Sequence, residues 1–214
     1  MKTPRPYVIA IAGGSGSGKT SIINALKEHF PSTQIAALSQ DDYYLPIEKQ
    51  PLDESGEVNF DLPECIDWPL LEEHLTTFQL GNSISKTEYT FNNDARTAKQ
   101  ITIASAPILL IEGLFVFHET TLQPFIDFKV FIDVDEAEKL RRRLNRDSKE
   151  RGYSKEQILY QWNEHVSPAF FNFLMPYRAQ CDLLIDNNIS FKKGVEDLIE
   201  VIQQELKKSK PSLL

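Results

Sequence analysis

The sequence predicts an α/β protein in which helices cover both faces of a doubly wound parallel sheet. Two observations support this: short apolar runs alternate with amphipathic segments along the 214 residues, and the apolar runs are continuous. Continuous runs are typical of strands buried on both faces, whereas half-exposed strands alternate apolar and polar residues. An alternating order of strands and helices favours parallel pairing through crossover helices.

The individual elements follow from these patterns. Strands of the main sheet are predicted at residues 7–11, 34–38, 107–113, 128–134 and 182–186. Helices are predicted at about residues 19–30, 70–80, 136–151, 155–165 and 195–208. An insertion at about residues 83–105 is typical of a small β-hairpin, because alternating segments flank the turn-rich connector NNDART. We interpret residues 1–214 as one domain.

Composition excludes several classes of protein. Apolar residues make up 41 % of the chain, enough for a substantial core. The net charge of −8 disfavours sequence-independent binding to nucleic acid. The N-terminus is too polar for a signal peptide and no run is long enough to span a membrane, so a cytoplasmic protein is expected. Cys65 and Cys181 lack the spacing of metal ligands and are expected to remain thiols.

A glycine-rich loop carries the strongest chemical signal. GGSGSGKT, residues 13–20, matches G-x-x-x-x-G-K-[ST] and lies between a predicted strand and a predicted helix. Its glycines allow backbone amides to converge on phosphate oxygens at a helix N-terminus, while Lys19 reaches the β- and γ-phosphates and Thr20 binds Mg²⁺. ATP and Mg²⁺ are therefore the expected cofactors. The nucleotide-binding residues are Gly13, Gly14, Ser15, Gly16, Ser17, Gly18, Lys19, Thr20 and Ser21.

This loop alone does not specify a reaction. GTPases, motor ATPases and kinases share it, but a GTPase would need Asn-Lys-x-Asp to bind its base, and the sequence lacks that motif. A motor ATPase is usually larger. A small phosphotransferase is therefore favoured.

Acidic residues follow two of the predicted strands. Asp41 lies in SQDDYY and Glu112 in ILLIEG. Open α/β sheets bind ligands at the carboxyl ends of their strands. Asp41 is predicted to accept a hydroxyl proton or to hold the metal, and Glu112 to orient the metal's waters. Paired aspartates such as Asp41 and Asp42 are also common as solvated turn residues.

An arginine-rich helix is predicted to cover the phosphates. Leu140 and Leu144 are expected to face inward, and Lys139, Arg143 and Arg146 to lie on another shared face. Together with a turn at Gly152, residues 141–155 are interpreted as a lid that closes on the triphosphate. A solvated charged helix would have the same composition. The arginines are Arg141, Arg142, Arg143, Arg146 and Arg151.

Taken together, the motifs resemble the uridine kinase and phosphoribulokinase group of P-loop kinases, and within it the uridine-cytidine kinases. They are GGSGSGKT, SQDDYY, NFDLPECID, YTF, LLIEG, RRRLNRDSKERG and QWNEHVSPAF, spread over about residues 7–186. The resemblance implies a P-loop nucleoside triphosphate hydrolase-like sheet with a hairpin insertion and a helical lid. It also implies transfer of the ATP γ-phosphoryl group to the 5′-hydroxyl of uridine or cytidine, and a homo-oligomer.

Roles for single residues follow from the same resemblance. Asp41 corresponds to the catalytic aspartate, with Lys19 and Arg146 acting on the transferred phosphoryl group. Asp61 corresponds to the acid that binds the ribose 2′- and 3′-hydroxyls. The other implied nucleoside-binding residues are Tyr89, Asp94, Arg96, Arg143 and Gln161. Arg146 and Arg151 correspond to lid arginines on the nucleotide phosphates, and the implied metal ligands are Thr20, Asp41 and Glu112.

Two departures leave the acceptor open. Asp94 stands where uridine-cytidine kinases present a histidine to the pyrimidine, and Tyr153 stands where they often have arginine. An aspartate cannot donate a hydrogen bond to a uracil carbonyl. A nicotinamide riboside kinase, with a cationic ring near Asp94, or another sugar or sugar-phosphate kinase, is an alternative. A non-catalytic nucleotide-binding regulator would keep the phosphate loop but have no use for Asp41 and Asp61.

Overall fold

The protein is built around a parallel β-sheet, seen in a computed structural model that describes residues 5–89 and 97–208. The strands of this sheet are β1 (Tyr7–Gly13), β2 (Ile35–Ser39), β5 (Ile108–Gly113), β6 (Phe128–Asp133) and β7 (Leu183–Asp186). Within the described residues it has five strands in the order β2-β5-β1-β6-β7, all parallel. Each predicted strand is confirmed with small shifts at its ends.

Both faces of the sheet are buried, as the continuous apolar runs predict. In β1, Val8 and Ala10 belong to one hydrophobic cluster, while Ile9 and Ile11 belong to the cluster on the opposite face. Because successive side chains of a strand point to opposite faces, an unbroken apolar run serves two cores at once. The sheet is thus the middle layer of three, with helices above and below it.

The helices that cover these faces agree with the predicted pattern except in one region. They are α1 (Lys19–His29), α2 (Trp68–Gln79), α3 (Glu136–Glu150), α4 (Lys155–Gln161), α5 (Ser167–Ala169) and α6 (Lys192–Lys208). α1 and α6 pack on one face, and α2 packs on the other. α2 starts before the predicted residue 70 because Asp67 caps it, accepting from the Leu70 amide at 3.1 Å.

The predicted helix at 155–165 is too short. After α4 the chain continues as a π-helical turn Trp162–Val166, then α5, then a second π-helical turn Phe170–Leu174. Pro168 has no amide hydrogen to donate, so the regular hydrogen-bond ladder cannot run through α5. The wider turns keep the segment helical and bury Trp162, His165 and Phe170.

A two-stranded antiparallel sheet stands beside the main one. It pairs β3 (Ile84–Thr87) with β4 (Gln100–Ile103), so that Ile84 lies opposite Ile103. Ile84 and Lys86 are buried whereas the intervening Ser85 is exposed, which is the alternation expected of a half-covered strand. The predicted hairpin is therefore present, and residues 90–96 of its connector lie outside the described part of the chain.

The inward face of α3 differs from the prediction. Leu140 and Leu144 are only partly buried. The most buried side chains are instead charged: Lys139 is 1 % exposed, Arg143 6 % and Asp147 0 %. These residues are spaced i, i+4 and i+8, and they share one helix face. An apolar seam was predicted on the assumption that α3 packs on a hydrophobic core, but this face lies against the glycine-rich loop.

Both cysteines are free thiols, as expected. Burial raises the pKa of Cys65 and of Cys181 to about 11, so neither forms a thiolate readily at neutral pH. Among the helices of the described residues, none combines the length and apolar character needed to cross a membrane.

Candidate active site

The phosphate loop, residues 13–20, connects the carboxyl end of β1 to the first turn of α1. The Ser17 amide donates to the Gly14 carbonyl at 3.0 Å, and the Lys19 ammonium curls back to donate to the Gly13 carbonyl at 2.9 Å. Thr20, at the start of α1, is exposed. The loop therefore has the closed turn, the terminal lysine and the accessible hydroxyl that a triphosphate site needs.

Two glycines of this loop have a left-handed backbone and touch other elements. Gly16 has φ 81° and Gly18 has φ 97°. A Cβ at Gly16 would lie 2.6 Å from the Lys139 carbonyl oxygen, and one at Gly18 would lie 2.5 Å from Asn187 Nδ2. Asn187 also donates to the Ser17 carbonyl at 2.8 Å. The loop is thus held between α3 and the segment after β7.

Carboxylates meet at the same edge of the sheet. Glu112 is the penultimate residue of β5 and is paired with Ser39 of β2. The Ser39 hydroxyl donates to Glu112 Oε1 at 2.5 Å and accepts from the Asp41 amide at 3.2 Å. Burial raises the pKa of Glu112, the charge of Asp41 raises it further, and Lys19 opposes both. Asp41, Glu112 and Lys19 are therefore electrostatically coupled.

The buried carboxylate suits a magnesium ion. Glu112 Oε2 is buried and has no hydrogen-bond partner among the described residues. A cation ligand is the natural role for such an oxygen. Within residues 5–89 and 97–208 no group of three or more His, Cys, Asp or Glu could enclose a metal. Mg²⁺ at kinase sites is usually held by one or two carboxylates with phosphates and water, so Asp41, Glu112 and Thr20 fit it.

The lid arginines gather around a residue that sequence reasoning missed. Asp147 is fully buried, and its carboxylate lies 3.1 Å from Arg143 Nε, 2.7 Å from Arg146 Nε and 3.7 Å from Arg151 Nε. Asp147 follows Arg143 by four residues and precedes Arg151 by four. That i, i+4 spacing is visible in the sequence and could have predicted this anchor.

The same arginines contact the phosphate loop. Arg143 donates to the Ser15 hydroxyl at 3.1 Å and Arg146 donates to it at 3.4 Å. Arg143 also donates to Gln161 Oε1 at 2.8 Å. Burial lowers the pKa of Arg143, while the charges of Asp61 and Asp147 favour its protonated form. The structure thus brings together Arg143, Arg146 and Gln161 at the mouth of the loop.

A second lysine adjoins the loop and was not assigned to the site from the sequence. The Lys139 ammonium forms an ion pair with Glu136 and lies 3.3 Å from the centroid of the Phe170 ring. It is also 3.4 Å from the place of a Cβ on Gly14. Burial lowers the pKa of Lys139, and Glu136 opposes that shift. The face of α3 toward the loop therefore carries this ammonium in addition to the arginines.

A cluster of aromatic rings adjoins the turn that carries Asp41. The Tyr44 ring is 5.4 Å from the Tyr89 ring and 5.8 Å from the Phe60 ring, centroid to centroid. Burial raises the pKa of the adjacent Asp61, against the charges of Arg143 and His165. Tyr44 thus lies next to both Asp61 and Tyr89, and the nucleoside-binding roles of Asp61 and Tyr89 stay predictions. Asp94 and Arg96 lie outside the described residues.

A further link fixes the segment that precedes Asp61. Asp53 Oδ2 lies 2.7 Å from the Tyr160 hydroxyl and 2.7 Å from His165 Nε2. Hydrogen bonds from Tyr160 and His165 hold the pKa of Asp53 well below its ordinary value. His165 lies in the motif QWNEHVSPAF but was given no role from the sequence, and no motif marked Asp53 or Tyr160. They tie the loop before Asp61 to α4 and the π-helical turn that follows it.

The phosphate loop, the basic helix α3 beside it and the parallel sheet with helices on both faces place the protein in the class of P-loop proteins. The family model described as "Phosphoribulokinase / Uridine kinase family" matches residues 8–190. The chain therefore belongs to the phosphoribulokinase / uridine kinase family, as its motifs indicated.

Named relatives align along most of the chain. A uridine kinase from Deinococcus deserti is 35 % identical over 181 residues, covering 85 % of this chain and 87 % of that protein. Uridine-cytidine kinase B from Dictyostelium discoideum is 30 % identical over 201 residues, covering 94 % and 83 %. The solved phosphoribulokinase from Rhodobacter spheroides has the same fold, with a TM-score of 0.61 at 14 % identity, covering 86 % of this chain and 70 % of that one.

The glycine loop gives a prediction with a matched control. Gly16 and Gly56 have nearly equal φ angles, 81° and 82°, but nothing lies within 4 Å of a Cβ on Gly56. Gly56→Ala should lower the free energy of unfolding by about 1–2 kcal/mol through backbone strain alone. Gly16→Ala should cost more and raise the KM for Mg-ATP at least about tenfold, because the loop must move off the Lys139 carbonyl. Urea unfolding measures the free energy of unfolding of the two variants, and steady-state kinetics measure their KM values for Mg-ATP. Equal effects of Gly16→Ala and Gly56→Ala would contradict the packing argument.

The buried anion of α3 gives a second prediction. Asp147→Asn keeps the shape but removes the carboxylate that is ion-paired with Arg143, which is 6 % exposed, and this should destabilise the protein by about 3–5 kcal/mol. It should also lower kcat/KM for ATP as the arginines lose their orientation. Asp197→Asn removes an exposed i, i+4 partner of Lys193 and should change stability by at most about 1 kcal/mol. Thermal unfolding and ATP kinetics of both variants test this prediction. If Asp147→Asn changed stability and kcat/KM no more than Asp197→Asn does, the anchoring role of Asp147 would be ruled out.

Proposed function

We propose that the protein is an ATP- and Mg²⁺-dependent kinase that transfers the γ-phosphoryl group to the 5′-hydroxyl of a ribonucleoside, uridine or cytidine. The observation that carries this proposal is the meeting of Lys19, Asp41 and Glu112 at one edge of the sheet, between an arginine-covered loop and an aromatic cluster. The uridine kinase names of the relatives support this choice of acceptor.

The donor side follows from the phosphate loop and α3. The loop amides and Lys19 would hold the β- and γ-phosphates, and Arg146 and Arg151 would neutralise charge that develops during transfer. Thr20 and Glu112, with Asp41, would hold Mg²⁺, which would offset the charge of the phosphates. Asp147 keeps the arginines in place, because each would otherwise relax toward solvent.

The acceptor side follows from the carboxylates beyond the loop. Asp41 would orient the 5′-hydroxyl and accept its proton as the oxygen attacks. Asp61 would accept hydrogen bonds from the 2′- and 3′-hydroxyls, since an ionised carboxylate can accept two at once. Burial raises the pKa of Asp61, and the nearby Arg143 charge opposes that rise. Tyr44 and Tyr89 would pack on the base.

Three finer expectations belong to the same proposal. The chain would act as one domain, in the cytoplasm, and as a homo-oligomer. Its partners would be small molecules, with no nucleic acid or membrane surface involved.

The acceptor is tested by coupled ADP release with Mg-ATP. Uridine, cytidine, adenosine, guanosine, nicotinamide riboside and ribulose 5-phosphate are compared at equal concentration. We expect turnover with uridine or cytidine to exceed that with the others. Preference for nicotinamide riboside or the sugar phosphate would replace the acceptor but keep the chemistry. ATP binding by calorimetry without ADP release from any acceptor would instead favour a nucleotide-binding regulator.

The role of Asp41 is tested by Asp41→Asn, which preserves the shape of the turn. Loss of the base should lower kcat for the best acceptor by about 10²–10⁴-fold. The Kd for ATP, measured by calorimetry without Mg²⁺, should stay within about twofold, because the loop and the arginines remain. Turnover close to that of the unmodified protein would remove Asp41 from the role of base.

A further inference from the structure

The second aspartate of SQDDYY has a structural position distinct from that of Asp41. Asp42 lies in the short 3-10 turn Gln40–Tyr43 that follows β2. One of its carboxylate oxygens forms an ion pair with the Lys86 ammonium of β3, and the other accepts from the Tyr89 amide at 3.3 Å. A single carboxylate therefore holds the hairpin at both of these residues.

The lysine in this pair is buried where an apolar residue would be expected. The Lys86 side chain is 4 % exposed and that of Asp42 is 18 % exposed. Lys86 lies on the same face of β3 as the buried Ile84. Its ammonium is 4.9 Å from the centroid of the Tyr43 ring. Burial lowers the pKa of Lys86, while Asp42, Glu112 and Asp41 favour its charged form.

Stability alone does not account for such a pair. Desolvating two charges offsets much of their attraction, and apolar side chains of similar volume often stabilise a protein as well or better. What an ion pair adds is a defined geometry between the groups that carry it. Here those groups are the turn that holds Asp41 and the strand that leads to Tyr89.

We propose that the Asp42–Lys86 pair positions the acceptor side of the site. It fixes the hairpin to the turn that carries Asp41, and so sets the distance between Tyr89 and the reacting hydroxyl. This inference rests on the proposed nucleoside kinase function. Both residues are positioning residues that act through Tyr89 and Asp41, and they are not themselves catalytic.

The test compares Asp42→Asn, Lys86→Met and the double variant. With the acceptor that the unmodified protein prefers, we expect the acceptor KM to rise about tenfold in each single variant, and the ATP KM to stay within about twofold. The double variant should lose no more than the worse single variant, because both substitutions remove one shared interaction. Ser85→Ala is the control: its hydroxyl pairs with Thr102 at 3.1 Å on the exposed face of the same hairpin, and both KM values should be unchanged.

A second readout does not depend on turnover. Hydrogen exchange, followed by mass spectrometry, should show faster exchange of the amides of residues 84–89 in Asp42→Asn and Lys86→Met, and no change in Ser85→Ala. If the unmodified protein phosphorylates no nucleoside, the proposed function fails. Faster exchange in the two variants would still support the role of the Asp42–Lys86 pair in fixing the hairpin. Unchanged exchange, or an equal rise of acceptor and ATP KM values, would overturn the inference. If one of the two single variants does not fold, the other decides between these outcomes.

Discussion

The close approach of α3 to the phosphate loop is the constraint on which the site depends. The Lys139 carbonyl occupies the space that any side chain at Gly16 would need. With α3 at this distance, its buried face cannot be apolar, since it borders a loop built to hold phosphate. The charges of Lys139, Arg143 and Asp147 therefore enter the interior together, and each needs a partner because an isolated buried charge is strongly unfavourable.

Those partners divide the site into two electrostatic halves. Ammonium and guanidinium groups come from α1 and α3 and surround the loop. Carboxylates come from the ends of β2 and β5 and face the aromatic cluster. Lys19 lies between them, close enough to Glu112 to oppose the rise in its pKa. A parallel sheet produces this division directly, because its strands all deliver their carboxyl ends to the edge where the loop begins.

The sequence predicted most of the fold and the donor side of the site because those signals are local. Continuous apolar runs mark strands that are buried on both faces, and the glycines of GGSGSGKT specify the backbone of the phosphate loop.

The prediction for α3 was wrong at Leu140 and Leu144, because periodicity assumes that the buried face of a helix is apolar. Lys139 and Lys86 were missed as site residues because their roles depend on neighbours distant in sequence. Asp147 was missed although its arginine partners lie within four residues of it. The π-helical turns depend on tertiary packing around Pro168, which no local pattern encodes. Asp94 and Arg96 remain predictions from resemblance.

The link from Asp53 to Tyr160 and His165 has a consequence for conformational entropy. The chain between Tyr43 and α2 has short 3-10 turns and isolated β-bridges, and a connection this long is costly to order. The Asp53 carboxylate also accepts the amides of Ser55 and Glu57, so this side chain reinforces the Leu52–Val58 bridge that closes the middle of the loop. Two short loops replace one long one, and the second of them carries Asp61. The entropy of ordering that segment is thus lost when the protein folds, before any substrate arrives.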